Sequence, residues 1–228
     1  MSCVSLDSSG SVAVVRIDRP PANAMNVELL DELGETFEQL ADSPPRALVV
    51  AGRDGFFSAG ADLKAIPGHG PDERRAMVNG INRMALAAYG LSCPAVAAIT
   101  GHAIAGGMVL ALCFDIRIAS DAGRYGLTEV QVGVPYPQAA IALVGAELAP
   151  PAARRLALGS KLTDAAQCLQ LGVFDEVHAA DGVTARALEV AEELAAMPGD
   201  VYARTKRDLR RAALAAMRDG AERDPLLA

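Results

Sequence analysis

The stretch GHAIAGGMVLALCFDIRIAS, residues 101–120, decides the fold of this chain. Two adjacent glycines, Gly106 and Gly107, lie inside an apolar run that has no acid and no hydroxyl between Ala103 and Cys113. Glycine in the interior of a helix or strand costs about 0.5–1 kcal/mol relative to alanine. Paired glycines here therefore indicate a place where the backbone approaches another group closely, or offers its N–H to a ligand.

A second stretch, from ALVVAG to SAGADLKAI (47–66), has the same design. In each, a buried apolar strand ends in glycine, small residues follow, and a helix begins. N–H groups in a first helical turn have no partner within the helix and carry partial positive charge. Two such groups pointing at one oxygen would form an oxyanion hole. The alternative for each stretch alone is that small residues only allow tight packing.

Apolar periodicity predicts an α/β core followed by a helical region. The predicted elements are strands over 12–18, 47–52, 94–101 and 115–121, and helices over 27–41 and 72–90. Alternation of strands and helices is typical of a mainly parallel sheet. From Pro151 onward the pattern is almost entirely helical. We therefore predict an α/β core over 1–150 and a C-terminal helical region over 151–228.

Composition excludes several classes of function. The chain has 228 residues, 51% hydrophobic and 21% charged, with a net charge of −7. A protein with a net negative charge binds nucleic acid or an anionic membrane poorly, because both require a positive surface. We find no signal peptide and no apolar run of about 20 residues, so the predicted compartment is the cytoplasm. The four cysteines form no CxxC pair, and no metal or nucleotide-phosphate motif is present, so we expect no metal and no cofactor.

One carboxylate stands out in the segment RYGLTEVQVGVPYP, residues 124–137. Glu129 is flanked by Val130, Val132 and Val134, and a carboxyl group in apolar surroundings tends to have a raised pKa. That property suits a general acid or base. An exposed loop glutamate remains the alternative.

Taken in order, four motifs resemble the crotonase superfamily, the enoyl-CoA hydratases and isomerases. These motifs are SAGADLK, GHAIAGGMVLALCFDIRIAS, YGLTEVQVGVP and LALGSKLTDAAQCLQLGVFDEV, and RPPANAMN near the start resembles the family's first CoA-contacting turn. The resemblance implies an α/β fold with a ββα spiral core and C-terminal helices that build a trimer, often stacked into a hexamer. It also implies an acyl-CoA thioester as substrate.

The resemblance assigns roles to particular residues. The oxyanion hole would be formed by the backbone N–H groups of Ala61 and Gly106, and the acyl pocket would be lined by Val109 and Tyr136. The CoA and substrate contacts would come from Ala22, Asn23, Ala24, Ala59, Gly60, Asp62, Leu63 and Lys64.

A departure from the family pattern favours one reaction. Family hydratases hold a water between two glutamates; the second falls on Glu129, but the first falls on Val109. Isomerases of the family keep only the glutamate that matches Glu129. We therefore predict a Δ3,Δ2-enoyl-CoA isomerase of fatty acid metabolism with Glu129 as the catalytic residue. The alternatives are a non-catalytic acyl-CoA-binding homologue, a weak hydratase, or another crotonase chemistry.

Overall fold

The structure, a computed structural model, describes residues 2–62, 68 and 70–228. The strands are β1 (Val4–Ser9), β2 (Val12–Ile17), β3 (Ala47–Ala51), β4 (Gly55–Ser58), β5 (Ala95–Ile99), β6 (Gly101–Ile104), β7 (Ile116–Ser120), β8 (Tyr125–Gly126) and β9 (Glu176–His178). They form a six-stranded sheet in the order β1-β2-β3-β5-β7-β9 and a three-stranded sheet in the order β4-β6-β8. Within the larger sheet only β1 and β2 pair antiparallel.

Helices follow the strands and then dominate the C-terminal part. They are α1 (Val27–Asp42), α2 (Pro71–Tyr89), α3 (Gly106–Leu112), α4 (Glu129–Val132), α5 (Gln138–Glu147), α6 (Pro150–Ala153), α7 (Ala165–Gln170), α8 (Ala180–Ala195) and α9 (Gly199–Glu222). A π-helical segment covers Arg154–Leu158, and a 3-10 turn covers Pro225–Leu227.

The chain repeats one unit three times: a strand of the larger sheet, a strand of the smaller sheet, and a helix. The units are β3-β4-α2, β5-β6-α3 and β7-β8-α4. Because β4, β6 and β8 are parallel neighbours, the segments that leave their carboxyl ends emerge side by side. This is the predicted ββα spiral, and it brings the two glycine-containing stretches next to the segment that carries Glu129.

The central strands of the larger sheet are buried on both faces, which explains the wholly apolar sequences of β3 and β5. Alternate side chains such as Val49 and Val96 pack against α8. The intervening ones, such as Leu48 and Ile99, belong to the main core, which α1 completes with Phe37. The sheet is therefore a rigid support for the loops at its edge.

Helix α9 is attached to this core by buried ion pairs. Lys206 and Arg210 lie 2.8 and 2.9 Å from the carboxylate of Asp115, at the start of β7, and both side chains are almost completely buried. Lys206 also donates to the Cys93 carbonyl at 2.8 Å. In such a setting an unpaired charge would be strongly unfavourable.

The predicted strands and helices agree with the structure, with two differences. Local periodicity does not predict the smaller sheet, because its strands of two to four residues carry too little alternation to detect. It also does not predict β1, a six-residue edge strand whose side chains are mostly exposed. Within 151–228, β9 forms the edge of the larger sheet beside β7, so this region is not purely helical, and a division at residue 150 stays a prediction. No helix in the described part of the chain has the length and apolarity to span a bilayer.

Candidate active site

A cavity of about 120 Å³ lies where the segments after β4, β6 and β8 meet. Its walls come from the turn after β4, from α3, from α4 and from the Val134–Pro137 segment. The lining residues are Ala59, Ala61, Ile81, Ile104, Ala105, Gly106, Val109, Thr128, Glu129, Val132, Val134, Pro135, Tyr136, Pro137 and Ala140. Six residues assigned from the sequence are thus brought together: Ala59, Ala61, Gly106, Val109, Glu129 and Tyr136.

The turn after β4 is shaped by Ser58 and Gly60. The buried Ser58 hydroxyl donates to the Asn23 carbonyl at 2.7 Å and accepts from the Gly60 N–H at 3.1 Å. Gly60 has φ +79°, and a Cβ there would lie 2.7 Å from the Ile104 carbonyl oxygen and 2.8 Å from the Gly106 nitrogen. Only glycine allows this close approach, which places Ala61 beside Gly106.

Two backbone N–H groups at this contact have no acceptor among the residues that the structure describes. Met25 bonds to Gly60 and Asp62 on either side of Ala61, at 2.7 and 2.9 Å, so the Ala61 N–H takes no part in that bridge. A Cβ on Gly106 would lie 3.7 Å from the Ala61 nitrogen. Within the described residues neither the Ala61 nor the Gly106 N–H donates a hydrogen bond. Two neighbouring free donors are what an oxyanion hole requires.

Ala105 adopts an unusual backbone conformation next to these donors, with φ 50° and ψ −123°. A non-glycine residue in this region is strained, and such strain concentrates at functional sites. The Ala105 carbonyl accepts from the Met108 and Val109 N–H groups at 2.8 and 3.0 Å, which starts α3. The conformation of Ala105 therefore sets the direction in which the Gly106 N–H points at the start of α3.

Glu129 is the carboxylate of the cavity, and only 8% of the residue is exposed. The alternative of an exposed loop glutamate is therefore wrong. Its Oε2 is sealed from solvent and has no hydrogen-bond partner among the described residues. Burial raises the pKa of the Glu129 carboxyl above its usual 4.5. Ser160 holds this segment by donating to the Leu127 carbonyl at 3.1 Å and accepting from the Gln131 N–H at 2.9 Å.

Tyr136 faces Glu129, and its hydroxyl is also buried without a partner in the described part of the molecule. Burial raises the pKa of Tyr136, and the nearby carboxylate adds to the rise. In return, the hydroxyl offsets part of the rise in the pKa of Glu129. The two groups are near neighbours, although they do not meet the geometry of a hydrogen bond.

Val109 is an apolar residue at the position where the family pattern has a second glutamate. It is 1% exposed and lines the same cavity as Glu129. Glu129 is the only carboxylate on the cavity wall formed by the described residues. The site can therefore move a proton through one carboxyl group, but it cannot hold a water between two.

Comparison with known proteins identifies the family. The enoyl-CoA hydratase/isomerase family matches residues 7–224. The chain belongs to this family, within the crotonase superfamily. The human mitochondrial enoyl-CoA delta isomerase 1 is 32% identical over 213 residues, which is 92% of this chain and 70% of that protein. The carnitinyl-CoA dehydratase of Proteus mirabilis is 31% identical over 193 residues, 83% of this chain and 73% of that protein.

Solved structures support the same family fold. A Mycobacterium tuberculosis protein, described as a probable enoyl-CoA hydratase, superposes with a TM-score of 0.91 at 30% identity and covers 97% of this chain and 94% of its own. A second structure of the same protein describes it as an enoyl-CoA isomerase, with a TM-score of 0.89. Relatives of this protein thus carry hydratase, dehydratase and isomerase names, so membership of the family does not fix the reaction.

Some residues assigned to CoA contacts shape the turn instead of facing the cavity. Asn23 is fully buried, and its amide donates to the carbonyls of Ile17 and Phe57 at 2.8 and 3.1 Å. Asp62 pairs with Arg19 at 3.2 Å. The Ala22 carbonyl accepts the Ala59 N–H at 3.0 Å. Ala24 belongs to the same turn before α1, and Gly60 belongs to the turn after β4. Leu63 and Lys64 lie outside the described residues.

A larger cavity of about 430 Å³ adjoins the first. The two share Ala61, Ile81, Val134, Pro135 and Pro137 as wall residues. Apolar side chains such as Met77, Val78 and Leu226 line the rest, and Arg74 is the charged residue at its wall. Such a space suits an apolar chain that extends from the Glu129 cavity.

Several wall residues carry no recognisable signal in the sequence. Ile81 projects from α2 into both cavities, but helical periodicity marks it only as one apolar position among many. The strain at Ala105 has no sequence signal, because positive φ is expected of glycine and asparagine rather than alanine. In the described part of the chain no cluster of three or more His, Cys, Asp or Glu side chains could hold a metal ion. That the reaction needs no cofactor stays a prediction.

Proposed function

We propose that this acyl-CoA-processing enzyme is an enoyl-CoA isomerase that converts a 3-enoyl-CoA to a 2-enoyl-CoA. The observation that carries the proposal is the single buried carboxylate, Glu129, in a small and otherwise almost apolar cavity. Val109 occupies the wall where a hydratase would carry its other glutamate. A double-bond shift needs one proton-transferring group and no water, whereas hydration needs a held water.

The first step is binding and polarisation of the thioester. Its carbonyl oxygen would accept hydrogen bonds from the N–H groups of Ala61 and Gly106. As negative charge develops on that oxygen, preorganised donors in a site with little water stabilise it strongly. The turn residues around Asn23 and the adjoining Ala59–Lys64 segment would hold the CoA part.

The second step is proton transfer by Glu129. The ionised carboxylate removes a proton from C2, and the C–H electron pair forms a C1–C2 double bond while the carbonyl π pair moves onto the thioester oxygen. The product is a dienolate conjugated with the C3–C4 double bond. The protonated Glu129 then returns the proton at C4, which leaves the double bond between C2 and C3. A pKa raised by burial brings the carboxyl group closer to the operating pH, as efficient acid–base catalysis requires.

The test is to mix the protein with a trans-3-enoyl-CoA and follow formation of the 2-enoyl product. Glu129→Gln should lower kcat by about 10²-fold or more. Glu28→Gln, which changes an exposed glutamate at the start of α1, is the control. Wild-type turnover by Glu129→Gln would contradict the mechanism.

The same assay separates the alternatives. Hydration of crotonyl-CoA at a rate comparable to isomerisation would indicate a hydratase with one glutamate. Saturable binding of acyl-CoA thioesters, with no turnover across a panel of them, would indicate a binding protein.

We also propose that the chain assembles as a trimer, or as a hexamer of two trimers. Apolar side chains are exposed around the π-helical segment and α4: Leu158 is 71% exposed, Leu162 44% and Val130 55%. Large exposed apolar patches mark interaction surfaces. Light scattering after size-exclusion chromatography would give the mass; a monomer at micromolar concentration would contradict the proposal. The cytoplasm remains the predicted compartment.

A further inference from the structure

Two buried polar atoms in the Glu129 cavity face each other, and neither has a hydrogen-bond partner among the described residues. They are Oε2 of Glu129 and the hydroxyl of Tyr136. Leaving a buried donor or acceptor unpaired costs about 1–3 kcal/mol, and more for a charged group. A chain that carries a complementary donor and acceptor in one small cavity has a direct way to satisfy both.

We propose that Tyr136 is the positioning residue of Glu129: its hydroxyl donates to Oε2 of the ionised carboxylate, so that Oε1 is left to exchange the proton with the acyl chain. The proposal rests on the acid–base function proposed for Glu129. The Tyr136 hydroxyl would then be the second polar group of the site, which has Val109 where the family's hydratases have a second glutamate.

No other ionisable group of the described residues faces Glu129. The walls contributed by α2, β6, α3 and α5 present Ile81, Ile104, Val109 and Ala140. The π-helical segment packs against α4 and carries Arg154 and Arg155, but both are exposed. Neither arginine affects the pKa of Glu129, whereas Tyr136 does. Among the described residues, Tyr136 is thus the side chain placed to stabilise the charged form.

The backbone around Tyr136 is restrained from both sides. Pro135 and Pro137 limit its conformational freedom. Before it, the Val134 N–H donates to the Glu129 carbonyl at 3.0 Å, which ties the two segments together. After it, the Gln138 N–H donates to the buried Asp224 at 2.7 Å. The hydroxyl is therefore held near Glu129 by the fold and does not depend on a mobile loop.

Two consequences follow from a hydrogen bond to the charged carboxylate. It lowers the pKa of Glu129 against the larger, opposing effect of burial, which favours the ionised form of the base. It also fixes the rotation of the carboxyl group, so that one oxygen faces the substrate carbons. Replacement of Tyr136 by phenylalanine should change both the pKa of Glu129 and the orientation of its carboxyl group, while the ring still fills the same space.

The experiment is a titration of the Glu129 side-chain carboxyl by NMR in protein labelled with ¹³C-glutamate, with the Glu129→Gln spectrum as the assignment. In Tyr136→Phe, which keeps the ring, Glu129 should titrate at a pH about 1–2 higher than in the wild type. The acid limb of kcat/KM should move to higher pH by the same amount. Tyr202→Phe, which removes a hydroxyl bonded to the distant Asp115, should leave the Glu129 titration unchanged.

An unchanged Glu129 titration in folded Tyr136→Phe would overturn the proposal. The titration does not need turnover, so it stands even if 3-enoyl-CoA is not a substrate, and failure of the proposed function is recognised separately. If Tyr136→Phe does not fold, 3-fluorotyrosine at position 136 provides a second route. Its more acidic hydroxyl is a stronger donor, so Glu129 should then titrate at lower pH, and an unchanged value would again overturn the proposal.

Discussion

Gly107 and Ser58 are packed so closely that no side chain fits between them: a Cβ on Gly107 would lie 2.2 Å from the Ser58 carbonyl oxygen. At the adjacent Gly106 the same Cβ would meet nothing nearer than 3.5 Å. The two glycines that look equivalent in the sequence therefore have different structural requirements. Gly107 lets α3 pack on the end of β4, whereas Gly106 presents its N–H beside Ala61.

We expect Gly107→Ala to destabilise the protein by about 2–3 kcal/mol, because backbone atoms of β4 or α3 must move. Gly106→Ala, the matched control, should change the free energy of unfolding by less than about 1 kcal/mol. Urea denaturation of both variants measures this. Equal stability of the two variants would contradict the packing argument.

Glu129→Gln should be more stable than the wild type at pH 7. Burial raises the pKa of Glu129 in the folded state above its usual 4.5, so the folded protein retains the proton to a higher pH than the unfolded chain. The contribution of Glu129 to the stability of the wild type is therefore fully present below the pKa that Glu129 has in the unfolded chain. It is lost as the pH rises through the pKa of Glu129 in the folded protein.

Thermal unfolding at a series of pH values tests this sign. The difference in Tm between Glu129→Gln and wild type should be largest at neutral pH and should shrink toward pH 4. A difference that does not depend on pH would show that the charge on Glu129 is not the cause.

Val109→Glu should not create an efficient hydratase. The new carboxyl group would be buried beside Glu129 without a partner, which should destabilise the protein by about 3 kcal/mol or more. The like charge should also raise the pKa of Glu129 further. Val109→Gln, of the same size and uncharged, is the control for bulk. Crotonyl-CoA hydration at a rate near that of 3-enoyl-CoA isomerisation would contradict this expectation.

Asp224 joins the end of the chain to the wall of the site. It is 4% exposed and accepts from the Asn82 amide at 3.0 Å and from the Gln138 N–H at 2.7 Å. Asp224→Ala leaves two buried donors unpaired and should cost about 2–4 kcal/mol. Asp219→Ala, which breaks an exposed pair with Arg223, should cost less than about 0.5 kcal/mol.

Urea denaturation of both aspartate variants measures the difference. Because the Gln138 N–H directly follows the Tyr136–Pro137 wall, Asp224→Ala should also raise KM more than it lowers kcat. A loss of stability equal to that of Asp219→Ala would show that the buried cluster contributes little.

The larger elements were predictable from local pattern. Leu29, Leu33 and Phe37 recur at helical spacing and are all buried on one face of α1. The apolar runs at 47–51 and 95–99 form the central strands, whose side chains are buried on both faces. Burial of one face of a helix, or of both faces of a strand, leaves a recognisable apolar pattern in the sequence. These elements could therefore be predicted without knowledge of the tertiary structure. The short strands of the smaller sheet leave no such signature.

The candidate site was only partly predictable. The spacing of Val109 and Glu129 in the family pattern indicated a site with one carboxylate, and both residues line one cavity. The positive φ of Ala105 has no signal in the sequence. The wall that carries Tyr136 is held by Asp224 through the Gln138 N–H, and Ile81 comes from α2, so both depend on parts of the chain far from Glu129. No local pattern encodes such distances.

The sequence by itself determined the family, through that resemblance the ββα spiral, and the presence of one glutamate where a hydratase has two, because residue identities and their spacing carry that information. Tertiary structure alone decided that Gly107 is required for packing, that the Ala61 and Gly106 N–H groups lie together without acceptors in the described part of the chain, and that Glu129 and Tyr136 share a buried cavity. These features arise from close packing of segments brought together by three parallel strands, and close packing is a property of the folded molecule rather than of any one segment.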